Sequence, residues 1–326
     1  MKIFIARKIP GKAIERLISL YQVDIWKGPG AIPRDEFLTR VAGVDAIIAV
    51  LTEKIDTQLF DAAGPQLKIV ANYAVGYDNI DCAEAARRHV VVTNTPGNLG
   101  DAVAEMAITL MLALSRRVID ADRWMKAGNY QTWDPNLFLG QDLSEKTIGI
   151  VGMGTIGFEV ARRADAVFSM KVLYTAREEK PDAAAHGYRF VQLPELLKES
   201  DVVSLHVPLT KETTHLIGAE QFAMMKPMSI LINTARGPVV DQAALCEALI
   251  GKKIWGAALD VYEHEQNLPE DPVWMKLRDL PNVIMTPHIS SATEGAREDM
   301  TEMVVENIEA VLAGKPALNP IGGENR

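Results

Sequence analysis

Between Thr147 and Arg177 the chain reads TIGIVGMGTIGFEVARRADAVFSMKVLYTAR. An apolar run, Ile148-Gly149-Ile150-Val151, enters Gly152-Met153-Gly154-Thr155-Ile156-Gly157. A helix-compatible stretch follows, then a second apolar run, Lys171-Val172-Leu173-Tyr174. Strand, glycine turn, helix, strand is the order that binds a dinucleotide. Gly152 permits the tight turn, Gly154 lets the backbone approach a pyrophosphate, and Gly157 lets helix and strand pack closely. The phosphates then rest on the helix N-terminus at Thr155 and Ile156. An NAD site of this kind usually carries Asp or Glu about 20 residues past the glycines, bonded to the ribose 2′-hydroxyl. Here the positions read Thr175-Ala176-Arg177, with no acid before Glu178. A missing carboxylate removes repulsion toward a 2′-phosphate, and a guanidinium can bind that phosphate in a bidentate way. The expectation is NADP(H) in preference, with NAD(H) left open as the second cofactor. Further on, Arg236, Asp260, Glu265 and His288 stand at or just past the ends of apolar runs, where a parallel sheet puts its ligands.

These residues need a frame. From Met1 to about Asn98, short apolar runs at Ile3–Ala6, Val23–Trp26, Ala46–Val50, Lys68–Asn72 and Val90–Thr93 alternate with amphipathic stretches such as Gly11–Leu20 and Pro33–Val41. That predicts a small parallel α/β domain. Two of its loops leave strand ends: Leu51-Thr52-Glu53-Lys54, and Tyr73 to Asp78. The segment Asp101–Arg117 has apolar residues at helical spacing and little charge, which predicts a helix buried on most sides. Trp124, Trp133 and Phe138 follow in a polar stretch read as an extended arm. After the glycine turn, strands are expected at Asp201–Val207, Ser229–Asn233, Gly256–Asp260 and Val283–Thr286. A final helix is expected over Thr293–Leu312, with Gly314 as its stop and a loose tail beyond.

At 326 residues the chain is long enough for two domains, and 48% hydrophobic with 24% charged residues is ordinary for a globular protein. A net charge of −9 disfavours nucleic acid or an anionic membrane as partner, since both need clustered Lys and Arg. An anionic substrate must therefore be held by local positive groups. Cys82 and Cys246 form no metal-type pair and suit reduced, buried thiols in a cytoplasmic protein. The N-terminal run Met1 to Arg7 meets charge at once and lacks the apolar core of a signal peptide. The longest uncharged apolar run, Met106–Leu114, is too short to span a bilayer. A metal held by Asp260, Glu263, His264 and Glu265 matches no ligand spacing, so no metal is expected.

Taken in order, the VGYDNID loop with Gly76, the glycine turn, His206-Val207-Pro208-Leu209-Thr210, Asn233 to Gly237, Asp260 to Glu265 and Pro287-His288 resemble the D-isomer-specific 2-hydroxyacid dehydrogenase family, and more closely its glyoxylate and hydroxypyruvate reductase branch. The resemblance covers essentially the whole chain. It implies two doubly wound parallel-sheet α/β domains, with a Rossmann nucleotide-binding domain (99–288) inserted into a flavodoxin-like substrate domain (1–98 and 289–326). It also implies hydride transfer from a nicotinamide to C2 of a small 2-oxoacid. Arg236 matches the family's carboxylate anchor, whose fork of N–H donors also polarises the adjacent carbonyl. His288 matches the proton donor to the developing alkoxide, and Glu265 the carboxylate that orients it and favours its protonated form. Asp260 matches a residue on the nicotinamide carboxamide side, and the amides of Val75 and Gly76 match the loop that receives the substrate carboxylate. Val207, Pro208, Thr234 and Ala235 fall in cofactor-side motifs. Trp133 resembles an aromatic that enters the partner subunit's pocket in some members, and a homodimer is expected. Many members read His-Ile-Gly after the last strand, where this chain has His288-Ile289-Ser290, so Ser290 either adds a hydroxyl near the nicotinamide or tightens the loop.

Two other readings compete. A formate- or phosphite-type dehydrogenase uses the same scaffold, but the loops at Thr52–Lys54 and Tyr73–Asp78 look like the glyoxylate branch. A dinucleotide-sensing corepressor shares the fold and the Arg, Glu and His, but this chain has no added disordered tail and no basic patch.

Overall fold

The computed structural model describes residues 1–97 and 99–321. Asn98, where the sequence-based domain boundary falls, and residues 322–326 of the tail lie outside the described residues. The chain divides into two compact units, Met1–Leu99 with Ala292–Arg326, and Gly100–Ser291.

The first unit is built on β1 (Lys2–Ile5), β2 (Gln22–Ile25), β3 (Ala46–Ala49), β4 (Ile69–Asn72) and β5 (Val91–Thr93). All pair in parallel, in the order β2-β1-β3-β4-β5. This is the flavodoxin-like doubly wound order. β3 and β4 are buried at every residue, as expected where helices cover both faces of a parallel sheet. Phe4, Phe37, Ile47, Leu59, Phe60 and Val70 form one continuous core on this sheet.

The helix Glu294–Leu312 belongs to the same unit. Thr293 caps its start by accepting from Ala296 N–H, and Gly314 adopts φ +74° just past its end. The expected loose tail is a correction up to Ile321. Buried Asn307 accepts from the N–H groups of Leu318 and Asn319. Pro320 bridges antiparallel to Thr93, and Ile321 N–H donates to Val92 carbonyl. Composition misled because one side chain in the preceding helix supplies the tie.

The second unit carries β6 (Thr147–Val151), β7 (Lys171–Thr175), β8 (Arg189–Phe190), β9 (Val202–Leu205), β10 (Ile230–Asn233), β11 (Gly256–Leu259) and β12 (Val283–Met285). They form a parallel sheet in the order β12-β11-β10-β9-β6-β7-β8. Renumbered within the unit this is 3-2-1-4-5-6 plus one further strand, the Rossmann order. Alternate residues serve opposite faces. Val203, Leu205, Leu231, Ala257 and Leu259 enter one core, while Val202, Ile230, Ile232 and Ala258 enter another with Ala104, Ala107, Leu110 and Met111 of the helix Leu99–Ser115. Among the residues of that helix whose burial is described, only Asp101, Glu105 and Thr109 are exposed.

Arg117, left-handed at φ +53°, separates that helix from a second one, Val118–Lys126. Trp124 therefore lies on a helix and not in an extended arm, packed edge-on against Tyr130 and Phe138. None of the residues of this helix is buried.

Candidate active site

β6 and β9 are neighbours at the point where the strand order of the second sheet reverses, and such switch points open a crevice beyond the carboxyl ends of the strands. The glycine turn sits there. Gly152 takes φ +101°, and a Cβ on it would fall 2.5 Å from the His206 carbonyl oxygen that follows β9. Gly157 is buried against the Gly152 carbonyl, whereas a Cβ on Gly154 would meet nothing within 4 Å. Gly154 is the N-cap of the helix Thr155–Phe168, whose first turn contains no acid. The first intrahelical donor is Phe158 N–H, onto Gly154 carbonyl. The amides of Thr155, Ile156 and Gly157 meet no protein acceptor among the described residues. A helix end with unpaired amides and open space before it fits a pyrophosphate.

Val207 packs on Gly152, and the exposed Pro208 follows it. The His206 ring accepts or donates one hydrogen bond with Ser204 Oγ at 2.8 Å, and burial pushes its pKa down to about 3. Past β10, Ala235 N–H donates to Asn233 Oδ1, while Thr234 Oγ1 is buried and has no protein partner among the described residues. A buried hydroxyl without a protein partner just past a strand of the same sheet is a second sign that a polar ligand completes the site. At the end of β7, Ala176 packs on the core and Arg177 is exposed, close enough to help hold the Glu178 carboxyl below its usual range after the main effect of Lys180.

The candidate catalytic side chains follow the neighbouring strands β10, β11 and β12. Arg236 follows β10 in extended backbone, half-buried, with its own carbonyl accepting from Asn233 Nδ2 at 3.0 Å and its Nη1 donating to Ala235 carbonyl at 2.9 Å. The next residue, Gly237, lies so close to Tyr262 that any Cβ would collide with the Tyr262 carbonyl. Tyr262 is a brace that sequence reasoning missed. Its hydroxyl donates to the Thr286 carbonyl at 2.8 Å and lies 3.1 Å from the Leu259 carbonyl, spanning the ends of β11 and β12, and its N–H donates to Glu265 Oε1 at 3.1 Å. Burial first, then the charges of Asp260 and Glu265, raise the pKa of that hydroxyl far above the ordinary tyrosine value. A tyrosine at a buried strand end needs a partner for its hydroxyl, and that is the signal that could have found it.

Glu265 Oε2 meets His288 Nδ1 at 2.9 Å, and the two side chains are 33% and 31% exposed. With Glu265 ionised, Nδ1 carries the proton of this bond, so Nε2 is the nitrogen left to exchange a proton with a ligand. His288 holds φ +54°, a left-handed conformation uncommon outside glycine. Asp260 explains how. Its side chain is fully buried, Oδ1 accepts from Thr286 Oγ1 at 2.5 Å and Ile289 N–H at 2.9 Å, and Oδ2 accepts from Ser290 N–H at 2.8 Å and from Ser290 Oγ. Its backbone carbonyl takes His288 N–H at 2.9 Å. The carboxylate expected beside the carboxamide is thus spent on the loop that presents His288, and the Ser290 hydroxyl tightens that loop. Ile289, Ser290 and Ser291 fall in the second unit.

In the first unit, the loop after β4 carries Val75, 40% exposed, and half-buried Gly76. Neither N–H meets a protein acceptor among the described residues. Trp133 is 74% exposed, on the polypeptide that follows the helix Val118–Lys126. Among the described residues no cluster of three or more His, Cys, Asp or Glu could hold a metal, and no helix is long and apolar enough to cross a membrane. Both cysteines are free thiols.

A Rossmann sheet with an open glycine cradle at its switch point, and a paired histidine and glutamate on strand ends of the same sheet, define an NAD(P)-dependent oxidoreductase using a nicotinamide dinucleotide. More narrowly, the chain belongs to the D-isomer specific 2-hydroxyacid dehydrogenase family: the model of that family's NAD binding domain matches residues 108–290. It is 48% identical over 319 residues to a glyoxylate reductase of Thermococcus litoralis, covering 96% of this chain and 94% of that one. The crystal structure of a Thermus thermophilus protein superposes with a TM-score of 0.92 at 44% identity, covering 98% of this chain and all of that one. An NADPH-dependent glyoxylate/hydroxypyruvate reductase of Sinorhizobium meliloti, in complex with NADP and malonate, superposes at 0.83 with 33% identity, covering 98% of this chain and 96% of the other.

Proposed function

We propose that this protein reduces small 2-oxoacids, glyoxylate and hydroxypyruvate first among them, to the 2-hydroxyacids glycolate and D-glycerate. The reading rests chiefly on the bond of His288 Nδ1 to Glu265, which leaves Nε2 as the proton-exchanging atom of a protein whose relatives are named glyoxylate reductases. Bound in reduced form, the nicotinamide supplies the hydride. Arg236 binds the substrate carboxylate and polarises the carbonyl beside it, and His288 delivers the proton to the developing alkoxide. Glu265 and Tyr262 fix the imidazole, and Asp260 with Ser290 fixes the backbone that carries it. The amides of Val75 and Gly76, which meet no protein acceptor among the described residues, are the further carboxylate donors of this reading. The unit Gly100–Ser291 is the dinucleotide-binding domain and the remainder the substrate domain.

The cofactor is NADP(H) in preference to NAD(H), because Arg177 stands exposed where an acid would exclude a 2′-phosphate. The protein works as a cytoplasmic homodimer. Val118, Met125, Trp133 and Leu139 are each at least half exposed within one short stretch, the kind of apolar concentration that marks a protein interface. Sedimentation at micromolar concentration should give twice the 35.8 kDa chain mass; a monomer would remove that part of the proposal. The activity itself is tested by steady-state turnover of glyoxylate, hydroxypyruvate and pyruvate with NADPH and with NADH. No turnover of glyoxylate with either cofactor would overturn it.

A further inference from the structure

Three successive carbonyls in the loop after β4 are each held by a donor from the body of the first unit. Ala74 carbonyl accepts from Thr95 N–H at 2.9 Å, Val75 carbonyl from Asn94 Nδ2 at 2.7 Å, and Gly76 carbonyl from Asn72 Nδ2 at 2.8 Å. Asn72 is fully buried and Asn94 is 5% exposed. The Asn72 amide is itself steadied by Asn79, whose Nδ2 also donates to the carbonyls of Val50 at 3.1 Å and Glu53 at 3.0 Å. Every peptide bond here is trans, so within each peptide plane the C=O and the following N–H point in opposite directions. Fixing the carbonyls of Ala74, Val75 and Gly76 therefore aims the N–H groups of Val75, Gly76 and Tyr77 away from their props. None of the three meets a protein acceptor among the described residues. Successive unpaired amides of this kind form an anion-binding concavity.

From this geometry we infer that Asn72 and Asn94 are positioning residues for substrate recognition: their side-chain amides hold the loop with its N–H groups turned out toward the substrate carboxylate, and so set the affinity for 2-oxoacids without touching them. The inference rests on the proposed reduction of a 2-oxoacid and on the loop amides as its carboxylate donors. A neutral amide suits the task, because a carboxylate cannot donate to a carbonyl, and a buried cation beside the loop would carry its own desolvation cost.

The test uses the full-length protein with Asn94→Leu and Asn72→Leu, which keep the number of side-chain heavy atoms and the branch at Cγ and remove the donor. KM for glyoxylate should rise on the order of tenfold or more in each, with kcat within about threefold and the dissociation constant for NADPH, read by fluorescence, unchanged. If either leucine variant fails to fold, Asn94→Ser and Asn72→Ser leave room for a bridging water and should give a smaller rise in the same direction. An unchanged KM in a folded variant overturns the inference, and so does an equal loss in KM, kcat and cofactor binding, which would mark the amides as generic packing. Wild-type protein that reduces no 2-oxoacid would instead overturn the functional reading beneath it, so the two failures are told apart by the unmutated enzyme.

Discussion

The loop after β4 and the loop after β12 both leave the carboxyl end of a parallel strand, and they are held in opposite ways. In the first, buried side-chain amides grip backbone carbonyls and leave the N–H groups outward. In the second, a buried carboxylate grips backbone N–H groups and leaves a side chain outward, on a histidine in left-handed backbone. The first device makes the backbone itself the ligand. The second makes the backbone a bracket for one imidazole. The contrast teaches that a site needing shape for an anion is built with neutral donors, while a site needing one titrating ring at a fixed angle can bury a full charge to secure it.

The largest effect that separates the two loops should come from His288→Ala, which removes the proposed proton donor and should lower kcat by roughly 10²–10⁴, with little change in substrate affinity. The two Asn variants should do the reverse. Reduction consumes a proton, so the wild-type rate should fall as pH rises, and oxidation should run the opposite way. Burial pushes the His206 pKa down to about 3, so His206 is not expected to supply such a limb. The limb should therefore survive His206→Gln and vanish in the residual activity of His288→Ala. A limb that persists without His288 would assign the proton to another group.

Next in size is Asp260→Ala. It strips the acceptor from the N–H groups of Ile289 and Ser290 and from the Thr286 hydroxyl, all inside a buried loop. Each orphaned donor costs about 1–3 kcal/mol, so denaturant unfolding should show a loss of at least about 3 kcal/mol together with a fall in kcat per folded molecule. A stability loss with kcat intact would mean that Asp260 only braces β11 against β12 and does not aim His288.

How much of this was legible in the sequence follows from the same contrast. Strands such as Ala46–Ala49 and Ile230–Asn233 announce themselves because a doubly covered parallel strand is apolar throughout. β8, at Arg189–Phe190, is too short to carry a pattern. The candidate site residues sit in motifs of fixed spacing, and Asp260, Glu265 and His288 could be picked out there. Asn72 and Asn94 could not. A side chain that donates to a carbonyl four residues on, or nineteen residues back, leaves no periodic trace, and asparagine at the end of a strand reads as an ordinary turn former. The tie of Asn307 to the tail escaped for the same reason.

Arg177→Ala bears on the cofactor and not on either loop, and so serves as the control that a variant can change one ligand alone. It should cost on the order of 1–3 kcal/mol toward NADPH, the size of a lost charge-assisted contact, with KM for glyoxylate and affinity for NADH unmoved. Equal losses for NADPH and NADH would mean that Arg177 merely fills the bend after β7.

The smallest effect is expected at Ser290, and it tests which part of the second bracket matters. Ser290 gives Asp260 Oδ2 two donors, its N–H and its hydroxyl, and only the hydroxyl depends on the side chain. Ser290→Ala removes that hydroxyl and keeps the backbone bond, so it should cost about 0.5–1.5 kcal/mol of stability, the net worth of one intramolecular hydrogen bond. Ser290→Gly adds backbone freedom in the unfolded chain, and a further loss of up to about 1 kcal/mol is expected from it. Activity should stay within about threefold in both variants, because Ile289 N–H, Thr286 Oγ1 and Ser290 N–H still converge on Asp260 and hold His288 at its angle. The affinity for NADPH should not move, since the hydroxyl is turned onto the carboxylate. If Ser290→Ala lost as much kcat as Asp260→Ala, the hydroxyl and not the grip on the amides would carry the loop. If it instead weakened NADPH binding with stability intact, Ser290 would belong to the cofactor site, and the bracket would consist of Asp260 and the backbone alone.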